Sequence, residues 1–263
     1  MKESQEKVLI IIPVYRDYFD DFEQKSLGSV GKHLKEFQIA FVAPKSLDIS
    51  FLNSYDLDFE YSVFRFDDAF FSDIEGYNQL MLSHGFYQTF LDYEYILICQ
   101  TDAYIFKNDL NYWLNKGFDY VGAPWLDSKN RFFSHQWRSF FNKLKKYFGF
   151  KEKRYTHINK VGNGGFSLRK TSTFFEIATK EQAQIKKFIE NKEKENYHIE
   201  DVFWSLYAPQ YHTVNIADYK TALFFCVDRK PEVAFELLKN QYPFACHGFN
   251  KKGVSEFWSK HII

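Results

Sequence analysis

The stretch YILICQTDAYIF, residues 95–106, decides how this chain is read. An apolar run suited to a buried strand meets Gln100, Thr101 and Asp102, and then the apolar pattern resumes. An ionised carboxylate in a core is costly unless a cation or a hydrogen-bond donor meets it. The reading is a strand over 95–106 whose acid sits where a metal, a helix amine end or solvent surrounds it.

Working outward, KVLIIIPVY (7–15) is a continuous apolar, β-branched run of the kind buried on both faces of a parallel sheet. QIAFVAP (38–44) and YSVFRF (61–66) read as further strands. Helical spacing in DDFEQKSLGSVGKHLKEF (20–37) and DIEGYNQLMLSHGFYQTFLDY (73–93) places helices between them. Strands alternating with helices imply right-handed βαβ units. The expected architecture is therefore α/β, a mostly parallel central sheet with helices on both faces. FDYVGAPW (118–125), NGGFSLRK (163–170) and HTVNIADYKTALFFCVD (212–228) read as later strands. TSTFFEIATK (171–180) and PEVAFELLKN (231–240) read as helices, with a break near Asn196. No repeat or linker divides the 263 residues, so one domain is expected, residues 1–106 forming its nucleotide-binding half and 107–263 the acceptor and catalytic half.

Apolar residues make up 45% of the chain, enough for a sizeable core. Lys plus Arg and Asp plus Glu are 34 each, so no global field points to nucleic acid. Cys99, Cys226 and Cys246 are odd in number and lie in or beside apolar runs, which suits buried thiols in a reducing compartment. The first residues carry no long apolar segment, and a cytoplasmic protein is expected. RSFFNKLKKYFGFKEKR (138–154) sets seven basic residues against one Glu, interleaved with aromatics. It is a candidate for peripheral contact with an anionic membrane face, or simply a solvated helix.

In open parallel sheets, ligands collect at the carboxyl ends of strands. Asp102, the PVYR segment (13–16) and the DDAF segment (67–70) all fall there. Taken singly, each polar feature has a plain structural account. Asp102 is a strand-ending acid satisfied by backbone amides. Gly164 and Gly165 form a hairpin turn or leave room for a ligand. Glu200 and Asp201 are acids in a first helical turn or a general base. His247 is a structural histidine or, with an Asp, a metal ligand.

Their order along the chain resembles the nucleotide-sugar glycosyltransferases of the GT-A fold. More narrowly, PVYRDYF, APKSLDISF, YNQLMLS, YILICQTDAYIF, YVGAPW, VGNGGFSLRK, EDVFWS and ACHGF resemble the bacterial family DUF5672. The resemblance spans about Val8 to Phe249. It implies a nucleotide-diphosphate sugar donor, a UDP-sugar first among them, and a glycan or lipid-linked acceptor in surface-polysaccharide synthesis. Asp102 and His247 would hold Mn²⁺ or Mg²⁺, with Gln100 standing where the fold usually has the first acid. Pro13, Tyr15, Arg16, Tyr77, Asn78, Gln100, Thr101, Asp102, Gly164 and Gly165 would meet the donor. Asp201, with Glu200, would serve as base, and inversion would follow. Arg16 or Arg169 would assist at the phosphates, and Trp125 would stack on a sugar or pack in the core. A nucleotidyltransferase and a noncatalytic binding module of the same fold are the alternatives.

Overall fold

The computed structural model describes residues 7–127, 157–190 and 200–262. The basic stretch 138–154 and the expected break near Asn196 lie outside these residues.

Six strands form the main sheet in the order β3 (Ser62–Phe66), β2 (Gln38–Pro44), β1 (Val8–Pro13), β4 (Tyr95–Cys99), β7 (Val161–Lys170) and β6 (Tyr120–Pro124). The first four pair in parallel, and β7 runs antiparallel to both β4 and β6, so one strand of six is reversed. All residues of β1 and β4 are buried, which explains their unbroken apolar runs. Ile10 sits between Ile39 and Leu97 at the centre of this pairing.

Helix α1 (Asp21–Leu34) follows β1 and starts with a capping box, in which the Asp20 carboxylate accepts from Glu23 N and Glu23 accepts from Asp20 N. The periodic segment 73–93 forms two helices, α2 (Ile74–Leu82) and α3 (His84–Thr89). Ser83 separates them with extended backbone, and its hydroxyl accepts from Phe86 N to cap α3. After a short α4 (Leu110–Leu114) come α5 (Thr171–Lys180), α6 (Gln182–Glu190) and α7 (Glu200–Val202), which runs into a π-helical turn over Phe203–Tyr207.

Residues 95–106 are not one strand. The main sheet takes β4, a turn closed by Ala103 N donating to Gln100 O occupies Gln100–Asp102, and β5 (Ala103–Ile105) joins a second sheet. That sheet has the order β5–β9–β8, with β8 (Cys226–Val227) and β9 (Ala245–His247). The polar triplet is the point where the chain changes sheets.

Two further expectations are corrected. Within residues 212–228 the segment Tyr219–Phe225 is a helix, α8, because Asp218 caps it by accepting from Lys220 N and Thr221 N, and beyond an isolated bridge at Ile216 only Cys226–Val227 is strand. The Asn163–Gly164–Gly165 segment is not a hairpin turn but the interior of β7, and neither glycine has a positive φ. Pro231 opens α9 (Pro231–Leu237), and a short α10 (Ser255–Trp258) packs nearby in a satellite core built on Phe235 and Trp258.

Candidate active site

A cleft of about 680 Å³ opens at the carboxyl ends of β1 and β4. Pro13, Tyr15 and Arg16 line it after β1, Asp20 and Glu23 at the head of α1, and Phe71 to Ile74 with Tyr77 on the opposite wall. Gln100, Thr101, Asp102, Asn250 and Lys251 complete it. Seven of the residues expected to meet a donor are thus brought together: Pro13, Tyr15, Arg16, Tyr77, Gln100, Thr101 and Asp102. Asn78, Gly164, Gly165, Glu200, Asp201 and His247 are not in the lining; they stand behind it.

The backbone explains why these groups converge. Gln100 N donates to Gly165 O, tying the turn after β4 to β7. Antiparallel pairing of β5 with β9 sets Ala103 against His247, and Gly248 N donates to Asp102 O. His247 Nε2 therefore lies 2.9 Å from Asp102 Oδ1 and 3.1 Å from Gln100 Oε1. Its Nδ1 lies 3.2 Å from Asp228 Oδ1. Lys251 Nζ reaches Asp102 Oδ2 at 2.9 Å. Burial alone would lower the His247 imidazole, but Asp102 and then Asp228 outweigh it and raise it to about 9. Burial would raise the Asp102 carboxyl, yet His247 and Lys251 hold it well below the usual carboxylate range.

The glycines of β7 make this packing possible. A methyl group on Gly165 would fall 2.1 Å from His247 Nε2 and 2.6 Å from Gln100 Oε1. One on Gly164 would fall 2.1 Å from Glu200 Oε1 and 2.5 Å from Asp201 Oδ1. The space that their missing side chains leave is filled by the protein's own polar groups.

Behind Gly164 the two acids divide. Glu200 pairs at 3.0 Å with Arg169, which is fully buried and also donates to Tyr87 Oη and Ser167 Oγ. Arg169 thus braces the acid pair from below and does not face the cleft. Asp201 Oδ1 accepts from Gly164 N at 2.8 Å, and Asn78 Oδ1 accepts from Glu200 N, fixing the start of α7. Burial, and then the neighbouring Glu200 charge, push the Asp201 carboxyl well above its ordinary value. Arg16 pairs with Glu23 and, at 3.4 Å, with Asp20, and lies over the Tyr18 ring. Thr101 donates to Glu23 Oε1 at 2.7 Å. Trp125 packs on Gly162, where a methyl group would meet its ring at 2.1 Å.

Among the described residues no cluster of three or more His, Cys, Asp or Glu side chains is arranged for a metal. A third donor is present all the same, the Gln100 amide oxygen. Asp102 Oδ1 is buried and receives no aligned hydrogen bond despite its 2.9 Å approach to His247 Nε2. Oxygen ligands 2.0–2.1 Å from an octahedral ion stand roughly 3 Å apart when adjacent, which is the spacing found around His247 Nε2. The donor set suits a hard divalent cation. The cleft lining carries four carboxylates, Asp20, Glu23, Asp73 and Asp102, against Arg16 and Lys251, a balance that favours an added cation before any polyanion enters.

Asp228, Asn163, Lys251 and Glu23 belong to this cluster, although nothing in their local sequence marks them. Asp228 arrives because β8 pairs in parallel with β9, Val227 opposite Cys246, which carries the next residue to His247. Lys251 arrives through the left-handed turn at Gly248, whose φ is +64°.

A crossover-connected sheet with its cleft at the strand ends and one late reversed strand defines an α/β protein of the GT-A type. The chain belongs to the family described as "Protein of unknown function (DUF5672)", whose profile matches residues 60–247. No curated protein matches the sequence. Among solved structures, mouse xyloside xylosyltransferase 1 in its apo form shares the fold with a TM-score of 0.52 and 10% identity, over 91% of this chain and 96% of that one. Two structures of the glycosyltransferase GlyE of Streptococcus pneumoniae TIGR4, one of them apo, give TM-scores of 0.46 and 0.48 at 10% and 11% identity. They cover 98% and 97% of this chain and 60% of their own. Among the described residues no helix is long and apolar enough to cross a membrane.

Proposed function

We propose that this protein is a glycosyltransferase that moves a sugar from a nucleotide diphosphate to a hydroxyl of a glycan or lipid-linked acceptor, with inversion. The observation that carries this reading is the Asp102–Gln100–His247 donor set at the mouth of β4, beside a cleft whose opposite wall is Tyr77 and α2. The fold shared with a xylosyltransferase agrees with it.

In this reading Asp102, His247 and Gln100 hold Mn²⁺ or Mg²⁺, which when bound neutralises charge on the departing diphosphate. Arg16 and Lys251, the two cationic side chains of the cleft lining, would meet the same phosphates. Tyr15, exposed at the rim, offers its ring to the nucleobase of a UDP-sugar. The acceptor oxygen attacks the anomeric carbon while the bond from that carbon to the phosphate oxygen breaks. Asp201, which stands beside Gly164 behind the cleft lining, is the base this reading assigns to the hydroxyl proton. Glu200, tied to Arg169, holds Asp201 in place and does not move protons. Surface-polysaccharide synthesis at the cytoplasmic face is the setting that such a donor and acceptor suggest.

The test is incubation with a panel of nucleotide sugars and Mn²⁺, with chromatography of the released nucleotide. One donor should be slowly hydrolysed without acceptor, and Asp102→Ala should abolish this. Donor binding with no turnover, even with an acceptor mixture, would make the protein a noncatalytic sugar-nucleotide module.

A further inference from the structure

Asp228 lies outside the cleft and carries no part of the reaction above, yet it is buried and fully engaged. Its Oδ1 faces His247 Nδ1 at 3.2 Å, and its Oδ2 accepts from Asn163 Nδ2 at 3.1 Å. The guanidinium of Arg229 stands 3.9 Å from Oδ2, but it is largely exposed and screened by solvent. Asn163 has no freedom in this arrangement. Its Oδ1 accepts from Gly165 N at 3.1 Å, so its amide nitrogen must point at Asp228. One line of hydrogen bonds thus runs from the glycine segment of β7 through Asn163 and Asp228 to the far nitrogen of His247.

We infer that Asp228, braced by Asn163, is a positioning residue that fixes the proton on His247 Nδ1 and aims the Nε2 lone pair at the cation site of Asp102 and Gln100. This rests on the divalent-ion reading given above. The chemistry requires a carboxylate at 228. Asp228 must accept twice, once from Asn163 and once from His247, and only a group with two acceptor atoms can do so. An amide at 228 has one acceptor. If that oxygen serves Asn163, its N–H₂ faces His247 Nδ1, moves the ring proton to Nε2 and removes the metal ligand. Partners of this kind on a ligating histidine commonly govern metal affinity.

The same logic predicts a rescue. In the double substitution Asn163→Asp with Asp228→Asn, the carboxylate introduced at 163 accepts from both Gly165 N and the amide at 228. The amide oxygen at 228 is then free to accept from His247 Nδ1. The network closes again with its polarity reversed.

The experiment measures Mn²⁺ binding by the loss of the free-ion electron paramagnetic resonance signal. The ¹⁵N shifts of His247 are recorded in the Mg²⁺-loaded protein. D228N should weaken Mn²⁺ binding by about 10–100-fold and move the proton off Nδ1, while the N163D/D228N double variant should regain most of the affinity. Far-UV circular dichroism verifies folding, and the rescue keeps the test decisive if D228N alone is also destabilised. Equal Mn²⁺ affinity in wild type and D228N overturns the assignment, as does a double variant no better than D228N. Absence of Mn²⁺ binding in the wild type overturns it together with the divalent-ion reading. Since no turnover is measured, failure of the transferase reading is seen separately.

Discussion

Gly164 is packed against Glu200 so closely that a methyl group on its α-carbon would come within 2.1 Å of Glu200 Oε1 and 2.7 Å of Arg169 Nη2. The neighbouring Gly165 stands in the same relation to His247 and Gln100. Two adjacent glycines on opposite faces of one strand therefore serve two clusters, the acid pair and the Asp102–Gln100–His247 set. Gly164→Ala should cost about 1–3 kcal/mol by overpacking, read by urea denaturation. Gly165→Ala should weaken Mn²⁺ binding more than it lowers stability, because its methyl meets the ends of His247 and Gln100, two members of the proposed cation site. The pattern would be wrong if both variants bound Mn²⁺ equally well.

The Arg169–Glu200 pair divides the two acids by role. Glu200→Gln leaves a fully buried guanidinium without its counter-charge, and losing one partner of a buried pair costs about 3–5 kcal/mol. Asp201→Asn keeps an acceptor for Gly164 N and offers an N–H₂ beside Glu200, so stability should hold within about 1 kcal/mol. Transfer activity should nevertheless be lost. Parallel melts and transfer assays of the two variants check this; an active Asp201→Asn enzyme would remove the base.

The Asp102–His247–Asp228 cluster sets a pH window for the metal-free protein. His247 is raised from 6.5 to about 9 in the folded state. Its contribution is complete below about pH 6.5 and is lost as pH climbs through about 9, a term of at most roughly 3 kcal/mol. Asp102 is lowered, so its contribution is present above its unfolded value and fades in acid. The two together give a plateau from about pH 4 to 6.5. Asp201, raised by burial and Glu200, contributes stability that is complete below its unfolded value and falls as pH climbs toward its raised folded value, so it tilts that plateau downward with rising pH. Denaturant titrations in EDTA from pH 5 to 9.5 should show the wild-type advantage over His247→Gln shrinking with rising pH. An advantage independent of pH would remove the charged-histidine account.

The sheet was legible because β1, β2 and β4 are apolar runs with few other places to go in a folded chain. Asp102 and His247 stood out as polar residues closing such runs. What stayed hidden depends on pairing between distant segments. Asp228 reaches His247 only through the register of Val227 with Cys246, and Arg169 looks like any strand-end cation until Glu200 meets it in the core. The segment 73–93 kept helical periodicity across a real break, since the Ser83 cap interrupts the backbone without disturbing the apolar spacing. Residues 163–165 carried a turn-like composition because glycine serves close packing as well as positive φ. Steric need for a missing side chain leaves the same letter in the sequence as backbone freedom does.

Lys251 offers a direct test of the proposal that the cleft receives a diphosphate. Its ammonium lies 2.9 Å from Asp102 Oδ2 on a side chain about half exposed, so as an ion pair it should add little to stability. Its value lies in the charge balance of the cleft, where Arg16 is already engaged by Glu23 and Asp20. Lys251→Met keeps most of the aliphatic stem and deletes the charge. Hydrogen bonds to charged groups contribute about 1.5–3 kcal/mol, so the dissociation constant for UDP or GDP at saturating Mn²⁺ should rise about 10–100-fold. Binding of the uncharged nucleoside should not change, since it carries no phosphate for Lys251 to meet. Calorimetric titration of nucleoside and nucleoside diphosphate against both proteins separates these effects. An equal loss for both ligands would point to a deformed cleft, and no loss for either would take Lys251 out of phosphate recognition.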